Sequence, residues 1–325
     1  MMISLLACVR GEKCQSTTRP CNTATPRQRT VASGRSWRAL LPVMQATMTL
    51  ETAPTEFVEA AGTRFAYRRL GPRDAAPLVC LQHFSGTMDA WDPAVVNALA
   101  EDRPVIVFDN TGLGKSSGTT PDNVAQMAAD AESFISALGF TTVDLLGYSL
   151  GGMIAQVLAA EHPKLVRKVL LVGTAPRGGE QHLMEVLKEA QSHKEASDPR
   201  LPLFFTPSAA SQAAGLAFLK RANTRTVDRD PDSGQAIMAQ QAKALIGWCA
   251  TKDPHNKILG AIDQPVLVVS GSNDTMLPDN NAYFMFKHLK NAQLILYPDA
   301  GHGALFQYPE RFVDHTALFL ADSAA

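Results

Sequence analysis

The sequence predicts an α/β protein: a mostly parallel, eight-stranded sheet flanked by helices, interrupted by one helical insertion. Three observations carry this. A hairpin signal is followed by six short runs rich in Val, Ile and Leu, and amphipathic stretches separate most of them. One interval, from Arg177 to about Ile262, contains no strand-like run at all. Short strands buried on both faces and linked by helix-length crossovers are what a parallel sheet requires.

Taken in order, residues 1–47 stand apart. They hold seven basic side chains (Arg10, Lys13, Arg19, Arg27, Arg29, Arg35, Arg38) against the single acid Glu12, with many hydroxyls and no sustained period. Such a stretch reads as an organelle transit peptide or as a start called too early, with Met44 or Met48 as the true beginning. The first reading directs the protein to a mitochondrion or plastid, the second leaves it cytoplasmic. Phe57–Glu59 and Phe65–Arg69, joined by Ala61-Gly62, then read as a hairpin. Leu78–Leu81, Val105–Phe108, Val143–Leu146, Val169–Val172, Val266–Val269 and Leu294–Leu296 are the buried strands. Ala94–Ala100, Val124–Leu138, Gly151–Glu161, Ala282–Leu289 and Phe312–Leu320 are the helices between and after them. The interval broken by Pro199, Pro202, Pro207 and Pro231 is too long for a structureless loop, so it reads as a helical cap over the strand ends. The expected organisation is a core of residues 48–176 and 263–325 with a cap at 177–262.

Composition narrows the function classes. In 325 residues, 30 basic side chains balance 31 acidic ones, which leaves no broad basic footprint for nucleic acid. No apolar run reaches the ~18 residues of a membrane span. The five cysteines (8, 14, 21, 80 and 249) are odd in number and widely spaced, which suits a reducing compartment better than a disulfide framework. No HExxH, clustered Cys/His or EF-hand spacing implies a metal, and no dinucleotide or P-loop fingerprint survives inspection: Gly114-Lys115-Ser116 has Asp109 where the required glycine belongs. The expectation is therefore no cofactor and no metal, with a small-molecule partner; a homo-oligomer is compatible with the sequence.

The strongest local signal is Gly147-Tyr148-Ser149-Leu150-Gly151, which follows an apolar strand and opens an apolar helix. That is the context of a nucleophile elbow, a turn so tight that only small residues fit at its flanks. A serine hydroxyl needs a base, and the base needs an acid to fix its tautomer. Among eight histidines, His302 follows the last apolar strand in Asp299-Ala300-Gly301-His302-Gly303. Asp274 follows the preceding strand, with Asp299 and Asp279 as rivals. The chain order Ser149, Asp274, His302 is that of α/β-hydrolase triads.

With these motifs, from about Glu56 to Leu320, the chain resembles the α/β-hydrolase fold family. The carrying segments are Leu81-Gln82-His83-Phe84-Ser85-Gly86, Phe108-Asp109-Asn110-Thr111-Gly112-Leu113-Gly114-Lys115-Ser116, the elbow, Gly271-x-x-Asp274 and Gly301-His302. Within that family it is most similar to small cap-bearing serine esterases, lactonases and cofactor-free haloperoxidase-like hydrolases. The resemblance implies an oxyanion hole made by the N–H of Leu150 and one from the loop after Leu81. Counting back from Trp91 gives that second donor to Phe84, whereas counting from His83 gives it to Ser85. His83, where the family usually has glycine, is a candidate wall residue with Tyr148 and Trp248. Asp109 is expected to be structural. The implied activity is hydrolysis of a small ester, thioester or lactone through an acyl-enzyme. Perhydrolysis or C–C bond cleavage by the same triad, or ligand reception without turnover, are the alternatives.

Overall fold

The computed structural model describes residues 48–178 and 198–322. The extension 1–47 and insertion residues 179–197, with His182 and His193, lie outside the described residues. Eight strands form one sheet: β1 (Glu56–Ala60), β2 (Thr63–Leu70), β3 (Leu78–Leu81), β4 (Val105–Phe108), β5 (Val143–Tyr148), β6 (Val166–Val172), β7 (Val266–Gly271) and β8 (Ala292–Tyr297). Their spatial order is β1-β2-β4-β3-β5-β6-β7-β8. β1 and β2 pair antiparallel, as do β2 and β4, and every other pairing is parallel.

This strand order contains a topological switch point. From β3 the chain crosses to β4 on one side, and β5 then returns to pair on the other side of β3. Loops leaving β3 and β5 diverge there, and a crevice opens at the carboxyl ends of the strands. Leu81 and Gly147 lie side by side in the ladder, so the loop after β3 and the turn after β5 start level with each other.

Helices cover both faces. On one side α2 (Val124–Ala137) and α3 (Leu150–Glu161) pack on Val79, Leu81, Ile106, Leu145 and Val169. On the other, α1 (Pro93–Leu99), the short α9 (Ala304–Gln307) and the C-terminal α10 (Pro309–Ala321) pack on Leu78, Cys80, Val105, Val107 and Leu146. The two-residue alternation along β3 and β4 thus splits each strand between layers. Asp92, followed by Pro93, starts α1 by accepting the Ala94 N–H at 2.9 Å, and Asn123 starts α2 through the Gln126 N–H at 2.8 Å. No helix among the described residues is long and apolar enough to cross a membrane.

In the described part of the interval 177–262 there are helices and no strand: α4 (Arg200–Phe204), α5 (Ala209–Ala222), α6 (Gln235–Ala250) and α7 (Lys257–Ala261). α4 and α5 sit on the α1 side, where Phe218 stacks on Phe306 with ring centroids 4.3 Å apart. α6 and α7 send Leu245, Trp248 and Leu259 into the opposite layer. A buried ionic cluster ties the segment after α5 to the core. Arg68 of β2 pairs with Asp89 at 2.7 Å, and Asp89 accepts the Asp230 N–H at 2.6 Å. Arg225 donates to the carbonyls of Leu50, Glu51 and Ala53 at 3.1, 3.0 and 2.9 Å, while Lys115 pairs with Asp228.

Candidate active site

Three close approaches hold the turn after β5. A Cβ on Gly147 would lie 2.5 Å from the Gly151 carbonyl oxygen, one on Gly151 2.0 Å from that of Leu81, and one on Gly152 2.6 Å from the Thr174 side chain. The helix therefore starts directly against the end of β3, and Ser149, at the apex, is held at φ 55 and ψ −118. Left-handed φ is costly for a residue with a Cβ and persists where surrounding contacts enforce it. Here the Ser149 N–H donates to the Val172 carbonyl at 2.9 Å, and the Ser149 carbonyl accepts from Thr174 Oγ1 at 2.8 Å and from the Gly152 N–H at 2.9 Å. Thr174 escaped the sequence reading; its signal was its place just past the strand next to the elbow.

His302 is buried after β8, and its Nδ1 meets Asp274 Oδ2 at 2.8 Å. A carboxylate only accepts, so Nδ1 carries a hydrogen, and in the neutral ring the lone pair is then on Nε2. The other oxygen of Asp274, Oδ1, accepts the N–H groups of Met276 and Leu277, each at 2.9 Å, which fixes the carboxylate on its loop. No other histidine among the described residues meets a carboxylate. His288 Nδ1 is at the Phe284 carbonyl and His315 Nδ1 at the Tyr297 hydroxyl, both 2.8 Å. Gly173, the residue after Val172, has a left-handed φ of 49, and a Cβ there would be 3.4 Å from Cε1 and Nδ1 of His302. Asp274, after β7, and His302, after β8, are thus joined to each other, and His302 lies against Gly173 and Tyr148, neighbours of the turn that carries Ser149.

The rival acids are elsewhere. Asp299 accepts from Thr206 Oγ1 at 2.7 Å and Ser208 Oγ at 2.5 Å, fastening the segment between α4 and α5; these two hydroxyls hold its carboxyl below the usual range. Asp279 opens α8 (Asp279–His288). Asp109 is wholly buried and accepts the N–H groups of Met88 and Lys115 at 2.9 and 3.0 Å.

The loop after β3 is pinned from within. Gln82 Oε1 accepts the His83 N–H at 2.9 Å, and Gln82 Nε2 donates to the Thr87 carbonyl at 3.3 Å. The Ser85 N–H, at φ 60, is taken by Gln241 Oε1 of α6 at 2.6 Å. Among the described residues, no hydrogen bond takes up the N–H of Phe84 or of Leu150.

Burial holds the His83 imidazole far below its ordinary value, at about 3. It is neutral, and because its Nδ1 lies 2.7 Å from the Phe84 carbonyl oxygen, the hydrogen sits there and Nε2 is an acceptor. Of the three residues expected at the substrate wall, His83 lines a cavity of about 460 Å³ between this loop and the segments 198–200 and 223–233. That cavity does not include Ser149 or His302. Tyr148 and Trp248 do not line it either. Tyr148 is fully buried, with its hydroxyl donating to the His302 carbonyl at 3.2 Å and its ring 5.2 Å from the His302 ring. Trp248 donates to the Ala175 carbonyl at 3.2 Å and packs in the core. Both rings are turned inward by the elements that carry them. Cys80 is buried in β3, and burial pushes its thiol pKa up, away from reactivity. No group of three or more His, Cys, Asp or Glu among the described residues could hold a metal ion.

Residues 76–309 match the family model described as the alpha/beta hydrolase fold. A solved alpha/beta hydrolase fold protein from Chitinophaga pinensis is 45% identical, with a TM-score of 0.81, over 85% of this chain and 100% of its own. The pimeloyl-[acyl-carrier protein] methyl ester esterase of Nitrosomonas europaea is 28% identical over 73% of this chain and 92% of its own length. The enol-lactonase from Burkholderia xenovorans LB400 shares the fold, with a TM-score of 0.68 and 21% identity over 82% of this chain and 100% of its own. The chain belongs to the α/β-hydrolase family.

Proposed function

We propose that the protein is a serine hydrolase that cleaves a small carboxylic ester, thioester or lactone through an acyl-enzyme. The observation that carries this reading is the His302–Asp274 hydrogen bond of 2.8 Å beside a serine held at positive φ on the elbow. In this mechanism Ser149 Oγ attacks the carbonyl carbon while its proton passes to His302 Nε2. Asp274 keeps the imidazole in the Nδ1–H tautomer and offsets the charge that forms. The carbonyl oxygen, becoming an oxyanion, accepts from the N–H groups of Phe84 and Leu150, each donor contributing on the order of 3 kcal/mol. Phe84 is preferred over Ser85 because Gln241 already occupies the Ser85 N–H. The tetrahedral intermediate collapses, the alcohol or thiol leaves with the proton from His302, and water repeats the sequence to release the acid and restore Ser149.

The test is intact mass after incubation with a fluorophosphonate, comparing wild type with Ser149→Ala. One adduct on wild type and none on the variant is the expected result. A folded wild type that takes up no adduct, or a variant labelled equally, overturns the assignment.

A further inference from the structure

The cavity of about 460 Å³ beside the loop after β3 has unusual walls. Its volume is ordinary for a ligand site, but such sites are lined mainly by apolar and aromatic groups. Here Gly86, Ala90 and Pro199 are the apolar lining residues, and the other eleven carry polar side chains. An alkyl chain placed there strips water from these groups and returns no hydrogen bond, which is unfavourable for each group left unsatisfied.

The charges on the walls are largely committed. Asp89 is paired with Arg68 at 2.7 Å and Asp198 with Arg200 at 2.6 Å. Arg229 donates to the Ala222 carbonyl at 2.9 Å and to Asn223 Oδ1 at 3.1 Å. His83 Nε2 and the carboxyl oxygens of Asp230 lack a hydrogen-bond partner, but they are sealed behind the wall rather than presented to the cavity. Asp230 has Arg68 at 3.6 Å and Lys115 at 3.9 Å, too far for hydrogen bonds. Paired ions together with the side-chain hydroxyls of Ser85 and Thr87, each able to donate and to accept, suit a group that both donates and accepts without net charge.

We propose that this cavity receives a neutral, hydroxyl-bearing arm of the substrate, so that the protein favours hydroxylated esters or lactones over alkyl ones. The site itself stands on the walls alone, whereas its link to turnover rests on the serine-hydrolase reading. Phe84 lies between the wall residues His83 and Ser85, so an ester whose carbonyl oxygen sits at the Phe84 N–H has one arm beside the cavity.

Two measurements test this on the full chain. In saturation-transfer NMR, erythritol, 1-butanol and 1,4-diaminobutane are each added to wild type, Thr87→Val and Asp230→Asn. Thr87→Val removes a wall hydroxyl at nearly constant volume and leaves the ionic cluster alone, so it reports even if Asp230→Asn loosens the fold. Erythritol should receive saturation on wild type and lose most of it on Thr87→Val. Stronger transfer to butanol or to the diamine, or erythritol transfer unchanged in both variants, overturns the site.

The second measurement is kcat/KM for methyl 3,4-dihydroxybutyrate relative to methyl butyrate. The expected ratio is at least about tenfold, the factor that about 1.4 kcal/mol represents. A ratio at or below one overturns the substrate preference. If neither ester turns over, protection of Ser149 from the fluorophosphonate by each ester takes the place of the rate. Failure of fluorophosphonate labelling sinks the hydrolase reading alone, and the erythritol result still decides the cavity.

Discussion

Replacing Gly151 with alanine adds one methyl group where the first turn of α3 meets the end of β3. The new Cβ would lie 2.0 Å from the Leu81 carbonyl oxygen, 2.4 Å from its carbon and 2.9 Å from the Gln82 carbonyl oxygen. All three are backbone atoms, so no side chain can swing aside. Reaching ordinary contact near 3.5 Å requires the helix start and the strand end to part by about 1.5 Å. β3 is pinned by β4 and β5 on its two edges, and Gly147 and Gly152 hold the same turn at 2.5 and 2.6 Å from their own neighbours. Overpacking of this kind costs about 1–3 kcal/mol, and unyielding surroundings place it at the upper end. The same displacement separates Leu150 from Phe84, and a misplacement of about 1 Å at reacting groups costs roughly 100-fold in rate. Urea unfolding and the rate of fluorophosphonate labelling are the assays. Gly247→Ala is the control: it is exposed within α6, a Cβ there has nothing within 4 Å, and alanine should stabilise by about 0.8–1 kcal/mol. A Gly151→Ala variant within about 0.5 kcal/mol of wild type, a limit typical of neutral surface changes, and labelled at the wild-type rate would refute the account of the elbow.

Asp274→Asn keeps an oxygen for the Met276 and Leu277 N–H groups but sets an amide donor against the His302 Nδ1–H. Turnover should fall by on the order of 10³–10⁴ with the melting temperature little changed; a loss of less than about tenfold would count against the triad. The buried carboxyls of Asp230 and Asp109 predict a particular pH dependence. Burial, with Asp109 and Asp89 nearby, raises Asp230 to about 8, and burial raises Asp109 to about 6. A carboxyl whose folded pKa exceeds its unfolded value of about 3.9 holds its proton more tightly when folded. Its contribution is therefore full below about pH 4 and is lost as pH rises through the folded value. Relative to Asp230→Asn, wild-type stability to urea should decline between about pH 4 and about pH 8; parallel profiles would refute the burial argument. Tyr148→Phe removes the hydroxyl that reaches the His302 carbonyl and should cost about 1–3 kcal/mol in unfolding free energy, with a variant as stable as wild type showing that the contact carries no weight.

How much of this was legible in the sequence depends on the range of the interaction. The sheet was readable because Val143–Leu146 and its counterparts declare strands buried on both faces within a few residues. The elbow was readable because its glycines form one short motif between an apolar strand and an apolar helix, although only the Gly147 contact lies inside the turn, while Gly151 answers Leu81 and Gly152 answers Thr174. The pairing of Asp274 with His302 was readable because each comes just after a strand end. The choice between Asp274 and Asp299 was only weakly legible: it turns on Thr206 and Ser208, 93 and 91 positions before Asp299, which claim the Asp299 carboxylate. The choice between Phe84 and Ser85 likewise turns on Gln241, 156 positions away. Sequence determines neither which way Tyr148 and Trp248 face nor what covers their rings, and both prove to be packed against their surroundings. Arg68 was the missed clue. In β2 it shares a face with Ala66 and Leu70, both buried, and a guanidinium on an apolar strand face calls for a buried acid. Asp89 supplies that acid, and by accepting the Asp230 N–H it fixes the strand of chain that walls the polar cavity. A single charge out of pattern in the hairpin therefore pointed, through two contacts, to the part of the molecule where substrate preference is proposed to lie.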